Sequence, residues 1–175
     1  RRETGAAVDH AQENGVTPLF MACQNGHLEC AQVLQQAGAA VNQANARGAT
    51  PLYMACQAGR LECVRLLLEV GAAINRATQN GATPLLVACQ EGHVECAWLL
   101  RTAGAAINQA DEDGTTPLLM ACQEGHPDCV QLLLEASAAK DQADEDGATP
   151  LILACLEGQL ECFQLLLEAG AAINQ

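Results

Sequence analysis

The sequence predicts an all-α solenoid of helix-turn-helix units, stacked in register and joined by β-turn or hairpin loops. Three observations predict it. Thr-Pro-Leu begins at Thr17, Thr50, Thr83, Thr116 and Thr149, each step being 33 residues with no insertion or deletion. The ten cysteines keep the same interval, as Cys23, Cys56, Cys89, Cys122, Cys155 and as Cys30, Cys63, Cys96, Cys129, Cys162. Half of the chain is apolar but only 2% is aromatic, with Ala, Leu and Cys carrying most of that half. A long fixed period is the signature of a repeat architecture, and small apolar side chains suit thin, closely stacked helical layers better than one large core.

Each element of the unit follows from its residues, and 111–143 serves as the example. Asp111-Glu112-Asp113-Gly114 is a turn signal. Thr116 can cap the next helix through its hydroxyl, and Pro117 fits the first helical position, where no N–H is needed. Leu118, Ala121 and Cys122 stand at helical spacing and make one apolar stripe. Gly125 ends this short helix by accepting a left-handed backbone. A second helix is predicted from about Pro127 to Glu135, with Cys129, Val130, Leu132 and Leu133 inward. Two helices this short cannot hide their apolar faces alone, so neighbouring units must stack.

These residues carry a family resemblance. Gly48-Ala49-Thr50-Pro51-Leu52, Ala55, Gly59-Arg60-Leu61-Glu62, Leu66-Leu67, Gly71-Ala72 and Ile74-Asn75 follow the ankyrin-repeat pattern, and the match recurs in phase over nearly the whole chain. The chain resembles ankyrin-repeat proteins, with units at 12–44, 45–77, 78–110, 111–143 and 144–175, and with 1–11 similar to the end of a preceding unit. Several positions depart from the pattern. The His that usually follows Thr-Pro-Leu is Phe20, Tyr53, Leu86, Leu119 or Ile152, which removes an inter-loop hydrogen bond. In 111–143, Pro127 replaces Leu, Ser137 replaces the helix-ending Gly, and Lys140-Asp141 replaces Ile-Asn. A left-handed Ser is strained by about 1 kcal/mol, so the loop at Ser137 is the expected weak point.

The formal net charge of −13 argues against unaided binding to nucleic acid or to an anionic membrane, both of which need clustered Lys and Arg. No apolar run is long enough to span a bilayer. The charge is uneven along the rod: the five units carry −2, +2, −1, −6 and −6. The resemblance implies an intracellular protein, cytoplasmic or nuclear.

The cysteines raise the sharpest chemical alternative. Each unit holds Cys-x6-Cys, and His27, His93 and His126 stand nearby, which would suit a row of zinc sites. The competing reading places both cysteine positions on the inward stripes as small apolar residues, with the histidines at the ordinary Gly-His position bonding to backbone. The spacing fits no familiar zinc motif, so no metal and no cofactor are predicted. Regular placement and the intracellular family also argue against disulfides. Catalysis is not expected: ten equivalent thiols are the opposite of one activated thiolate, and carboxylates on turn tips are open to water.

Binding remains. In similar proteins, partners meet the turn tips and the exposed side of each first helix, forming a concave face. Matched by position, the tip candidates are Arg47, Gln79 and Asn80, then Glu112 and Asp113, then Glu145 and Asp146. The first-helix candidates are Tyr53 and Gln57, Gln90 and Glu91, Gln123 and Glu124, and Glu157. The expected partner is a protein or peptide whose basic segment faces 111–175. Trp98 takes a second-helix position held elsewhere by Gln32, Arg65, Gln131 and Gln164, so it should point outward as a convex hot spot. Asn42, Asn75, Asn108 and Asn174 match loop positions that an asparaginyl hydroxylase modifies in similar proteins.

Neither end carries a polar capping unit, which solenoids need for solubility. The bare ends predict weak self-association, and either a segment excised from a longer array or an engineered chain. Two other functions stand beside partner binding: an engineered or model binder scaffold, suggested by near-identical units, and a structural spacer with no groove partner. Alanine substitution in the groove separates partner binding from the spacer, because a spacer would keep its activity.

Overall fold

The structure, a computed structural model, describes residues 8–173. Residues 1–7, most of the predicted remnant of a preceding unit, and Asn174 lie outside the described residues. Among the described residues ten helices form five pairs: α1 (Pro18–Asn25) and α2 (Leu28–Gln36), α3 (Pro51–Gln57) and α4 (Leu61–Glu69), α5 (Pro84–Gln90) and α6 (Val94–Thr102), α7 (Pro117–Glu124) and α8 (Pro127–Glu135), α9 (Pro150–Leu156) and α10 (Leu160–Glu168). No strand occurs among the described residues.

The starts of the five first helices are chemically identical. Thr17, Thr50, Thr83, Thr116 and Thr149 each accept a hydrogen bond from the backbone N–H three residues on, at 3.1–3.4 Å, and each is followed by Pro. This satisfies one of the N–H groups that a helix start leaves without a partner. The chain reverses between α1 and α2 at Gly26, whose φ is 75°, and His27 N–H donates to the Ala22 carbonyl at 2.8 Å. The second helices close the same way: after α2, Ala39 N–H donates to Leu34 O across Gly38, with φ of 90°.

Ser137 adopts φ of 60°, the only positive φ at a non-glycine among the described residues, and Ala138 N–H still donates to Leu133 O at 3.0 Å. The closure of the glycine-bearing units is therefore kept at the cost of left-handed strain. Ser137→Gly should raise stability by up to about 0.5 kcal/mol, the strain removed less the entropy a glycine adds to the unfolded chain. An unchanged or lower urea midpoint would contradict this.

First helices pack on first helices of the next pair (α1 on α3, α3 on α5, α5 on α7, α7 on α9), and second helices form a parallel row. Leu19, Leu52, Leu85 and Leu118, one each in α1, α3, α5 and α7, are fully buried, as are Leu67, Leu100, Leu133 and Leu166 of α4, α6, α8 and α10. No single center of the core exists. Each boundary between units is its own small core, continuous with the next.

Two further ladders fix the spacing. At the turn tips, Ala46 N–H donates to Asn14 O, Gln79 to Arg47 O, Glu112 to Asn80 O and Glu145 to Asp113 O, at 2.8–3.1 Å. In the loops after the second helices, the side chains of Asp9, Asn42, Asn75, Asn108 and Asp141 accept from the backbone N–H of Ala40, Ala73, Ala106, Ala139 and Ala172, at 2.7–2.9 Å. Asp141, read from the sequence as a departure, makes the same bond as the asparagines, because only the Oδ1 acceptor is used.

Candidate functional site

The site is built upward from the tips. Asn45 Oδ1 accepts from the N–H groups of Arg47 and Ala49 at 2.9 and 3.0 Å, a side-chain-closed turn. Asp111 and Asp144 close the tips of 111–143 and 144–175 in the same way. The acidic tips are therefore partly structural: Asp111 and Asp144 shape the turn, while Glu112, Asp113, Glu145 and Asp146 project into solvent.

Between the tips and the first helices lies a concavity of about 740 Å³. Arg47, Tyr53, Gln57, Gln79 and Asn80 all line it. Its floor is a small apolar cluster separate from the main core: Val16, Phe20 and Ala49, with Tyr53 and Met54 packed on it. Its rim is amide-rich, with Gln12, Asn14, Gln24 and Asn45. Gln79 Nε2 donates to Ala46 O at 2.9 Å, and Thr78 Oγ1 donates to Asn80 Oδ1, so part of this amide capacity already braces the tips. Burial, and secondarily the Glu91 carboxylate, raise the Tyr53 hydroxyl pKa above its ordinary value, which keeps it a neutral hydrogen-bond donor.

Gln90, Glu91, Gln123, Glu124 and Glu157 continue the row along α5, α7 and α9, exposed or half-buried. They and the acidic tips lie outside the concavity of 12–80. The acidic stretch and the hollow are thus separate parts of one face. The sequence reading singled out Tyr53 but not Phe20 or Met54. The signal was present: Phe20 and Tyr53 are the aromatics among the residues that follow Thr-Pro-Leu, and they stand in adjacent units.

On the opposite side, Trp98 is 51% exposed and borders a hollow of about 380 Å³ with Leu61, Arg65, Val94, Glu95 and Leu99. The outward direction expected from its register is observed.

The cysteines require a correction. Both positions were expected to face inward in every unit. Eight do, but Cys30 and Cys155 are exposed. The reason lies in how the thiols pair. Each first-helix cysteine sits beside the second-helix cysteine of the next unit: Cys23 by Cys63, Cys56 by Cys96, Cys89 by Cys129, Cys122 by Cys162. Cys30 and Cys155 are the two with no such partner among the described residues. All ten are free thiols. Burial pushes Cys23 up to about 12 and Cys96 to about 11, and raises Cys56 far above the ordinary thiol range. In the Cys89–Cys129 pair the shared hydrogen bond raises Cys89 and lowers Cys129, so Cys129 ionises first. Thiol reagents act on the thiolate and must reach it, and Cys129 has no exposed surface. Two thiols, Cys30 and Cys155, should therefore react with an aromatic disulfide reagent near neutral pH well before the other eight. Ten uniformly fast thiols would contradict this burial pattern.

The histidine position is likewise structural. His126 Nε2 lies 2.9 Å from Gln90 O, and Arg60 Nε and Gln159 Nε2 reach the Gln24 and Gln123 carbonyls at 3.2 and 3.3 Å. These side chains cover the glycine of the preceding unit: a Cβ on Gly92 would stand 2.5 Å from the His126 ring. Among the described residues no three His, Cys, Asp or Glu side chains converge as metal ligands would. No helix among the described residues is long and apolar enough to cross a membrane.

A rod of stacked helix pairs with a braced row of tips defines the class of ankyrin-type solenoids. The family profile described as ankyrin repeats (3 copies) matches residues 3–78, 35–111 and 98–175, and the chain belongs to the ankyrin-repeat family. Proteins of this family are generally protein–protein interaction modules and typically not enzymes. No curated protein matches the sequence.

Proposed function

We propose that the chain binds a peptide or protein segment along the face formed by its turn tips and first helices, as one rod of five units at 12–44, 45–77, 78–110, 111–143 and 144–175. The observation that carries this reading is the hollow of about 740 Å³, whose apolar floor and amide rim converge on Tyr53. An apolar floor with a few placed polar groups suits an apolar anchor residue flanked by extended backbone. The tip ladder holds the rim in place, so little ordering cost remains for binding. The unit charges of −6 and −6 over 111–175 set the polarity: the basic end of the partner lies over Glu112, Asp113, Glu145 and Asp146, and its apolar anchor sits in the hollow. Nucleic acid and membranes are not partners in this reading. Trp98 is a second, convex contact point.

The test uses a peptide selected from a random library on the intact chain. Tyr53→Ala combined with Gln57→Ala should weaken it at least tenfold, the size expected for a central anchor site. Neutralising the four exposed tip carboxylates with Gln and Asn should slow association and flatten its salt dependence. A peptide that keeps full affinity for the Tyr53/Gln57 variant and shows no salt effect would sink the proposal in favour of a spacer role.

A further inference from the structure

One matched position at the turn tips changes charge along the rod. Its residues are Asn14, Arg47, Asn80, Asp113 and Asp146, all exposed. A single cation thus stands in the same row as two anions, the nearer of them two units away. The cation is also uncommitted. Arg60 and Arg76 are held on the Gln24 and Asn42 carbonyls, and Arg65 and Arg101 on Glu62 and Glu135. Among the described arginines only the Arg47 guanidinium has no such partner.

The side chains beside Arg47 present donors. Asn45 Oδ1 is occupied by the Arg47 and Ala49 N–H groups, and Asn14 Oδ1 by the Val16 N–H at 3.2 Å. These bonds fix the amide orientations, so the Nδ2 groups are what the two side chains have left to offer. Asn14, Asn45 and Arg47, with Ala46, line a small hollow of about 260 Å³, and the same three residues line the larger one. No carboxylate lines either hollow, and Arg47 is their only charged residue, in a chain whose net charge is −13. Glu91 acts on Tyr53 without lining the hollow. A guanidinium flanked by amide N–H donors is the complement of an anionic oxygen group. One planar guanidinium matches one carboxylate in shape and in charge.

We propose that the bound segment sets an Asp or Glu side chain on Arg47, next to the apolar anchor in the hollow, and its basic residues on the acidic tips. This rests on the groove binding proposed above and adds the order and spacing of the partner's charges. Packed helices lie about 8–10 Å apart, which puts Arg47 roughly 16–20 Å from Asp113 and roughly 24–30 Å from Asp146 along the row. An extended chain advances about 3.3 Å per residue, so the basic residues fall roughly five to nine positions from the acidic one. A uniformly basic segment is disfavoured, because it sets a like charge against Arg47.

The test uses peptides selected from a random library on the intact chain and resynthesised with an amidated C-terminus. They should carry an acidic residue beside the apolar anchor, with Lys or Arg at the spacing given. Arg47→Glu should weaken such a peptide at least about tenfold. Replacing the acidic residue of the peptide with Lys should restore most of that loss, and the Lys peptide should bind the unaltered chain poorly. Arg47 is exposed and shapes its tip through backbone bonds alone, so the variant should keep the urea midpoint of the unaltered chain. Arg47→Gln should give a smaller loss in the same direction. Equal affinity for the unaltered and Arg47→Glu chains, with Tyr53→Ala and Gln57→Ala still weakening binding, would overturn this inference and leave groove binding standing. Loss of binding on amidation would place a terminal carboxylate at Arg47 and overturn it too. Indifference to all three positions would remove groove binding and this inference together.

Discussion

Raising the pH above the usual thiol value of 9.0 is expected to destabilise this protein more than any single substitution. The cause is the thiol ladder. Cys23 is pushed up to about 12, and Cys56 and Cys89 stand well above the ordinary value inside the unit boundaries. A thiol is neutral when protonated, and its folded pKa here exceeds the unfolded one. Above the unfolded value the unfolded chain releases protons that the folded chain keeps, so unfolding becomes more favourable as pH rises. Stability is full below that value and falls up to the folded pKa. Each such thiol loses about 1.4 kcal/mol per pH unit in this window. Three of them moving together approach a large part of the roughly 5–15 kcal/mol that holds a domain folded. The urea midpoint should be level to about pH 8.5 and then drop steeply. Replacing Cys56 and Cys89 with Ala should make that drop shallower, whatever it does to stability at neutral pH. A midpoint that stays level through strongly alkaline pH would show that the thiols are not held in an apolar boundary.

Leu100→Ala is expected to cost about 2–5 kcal/mol, the range for emptying a fully buried leucine site. Leu100 stands in α6 with no exposed surface. In a solenoid each unit contacts only its neighbours, so weakening the middle also uncouples the two ends. The urea transition should broaden or split, with 12–77 and 111–173 losing structure at different denaturant concentrations. Leu34 occupies the same register in α2 but is only half-buried, because among the described residues no earlier helix pair packs on α2. Leu34→Ala should therefore cost clearly less. Equal losses at the two positions would mean that burial at the boundaries does not set the stability of the rod.

The two expectations differ in how far the sequence alone could have reached them. The leucine register was legible, because Leu67, Leu100, Leu133 and Leu166 recur on an apolar stripe whose period is that of a helix. The caps were legible for a similar reason: Thr-Pro specifies a helix start through contacts within three residues. The thiol pairing was not legible. The sequence displays Cys-x6-Cys inside each unit, whereas the physical pair joins residues forty apart across a boundary. That offset depends on how far one helix pair is displaced and turned against the next, which no local pattern states.

The candidate site divides in the same way. Matching positions identified Arg47, Tyr53, Gln57, Gln79 and Asn80, and these five do gather around one hollow. Nothing local said that the hollow would end near residue 80, or that Gln79 would spend its amide on Ala46 O. Phe20 joins Tyr53 on the floor because the first helices lie side by side.

What the sequence by itself determined is the unit: its period, its two helices, the Thr-Pro cap of the first, and which face of each is apolar. Those features depend on interactions within a few residues and on side-chain periodicity, so they are written along the chain. What only the tertiary structure decided is everything at the seams. It paired the thiols, gave Asp141 the task of an asparagine, gathered a hollow at one end of the row of turn tips, and left Cys30 and Cys155 bare. These depend on the displacement of one unit against the next, which is set by packing between residues more than thirty positions apart.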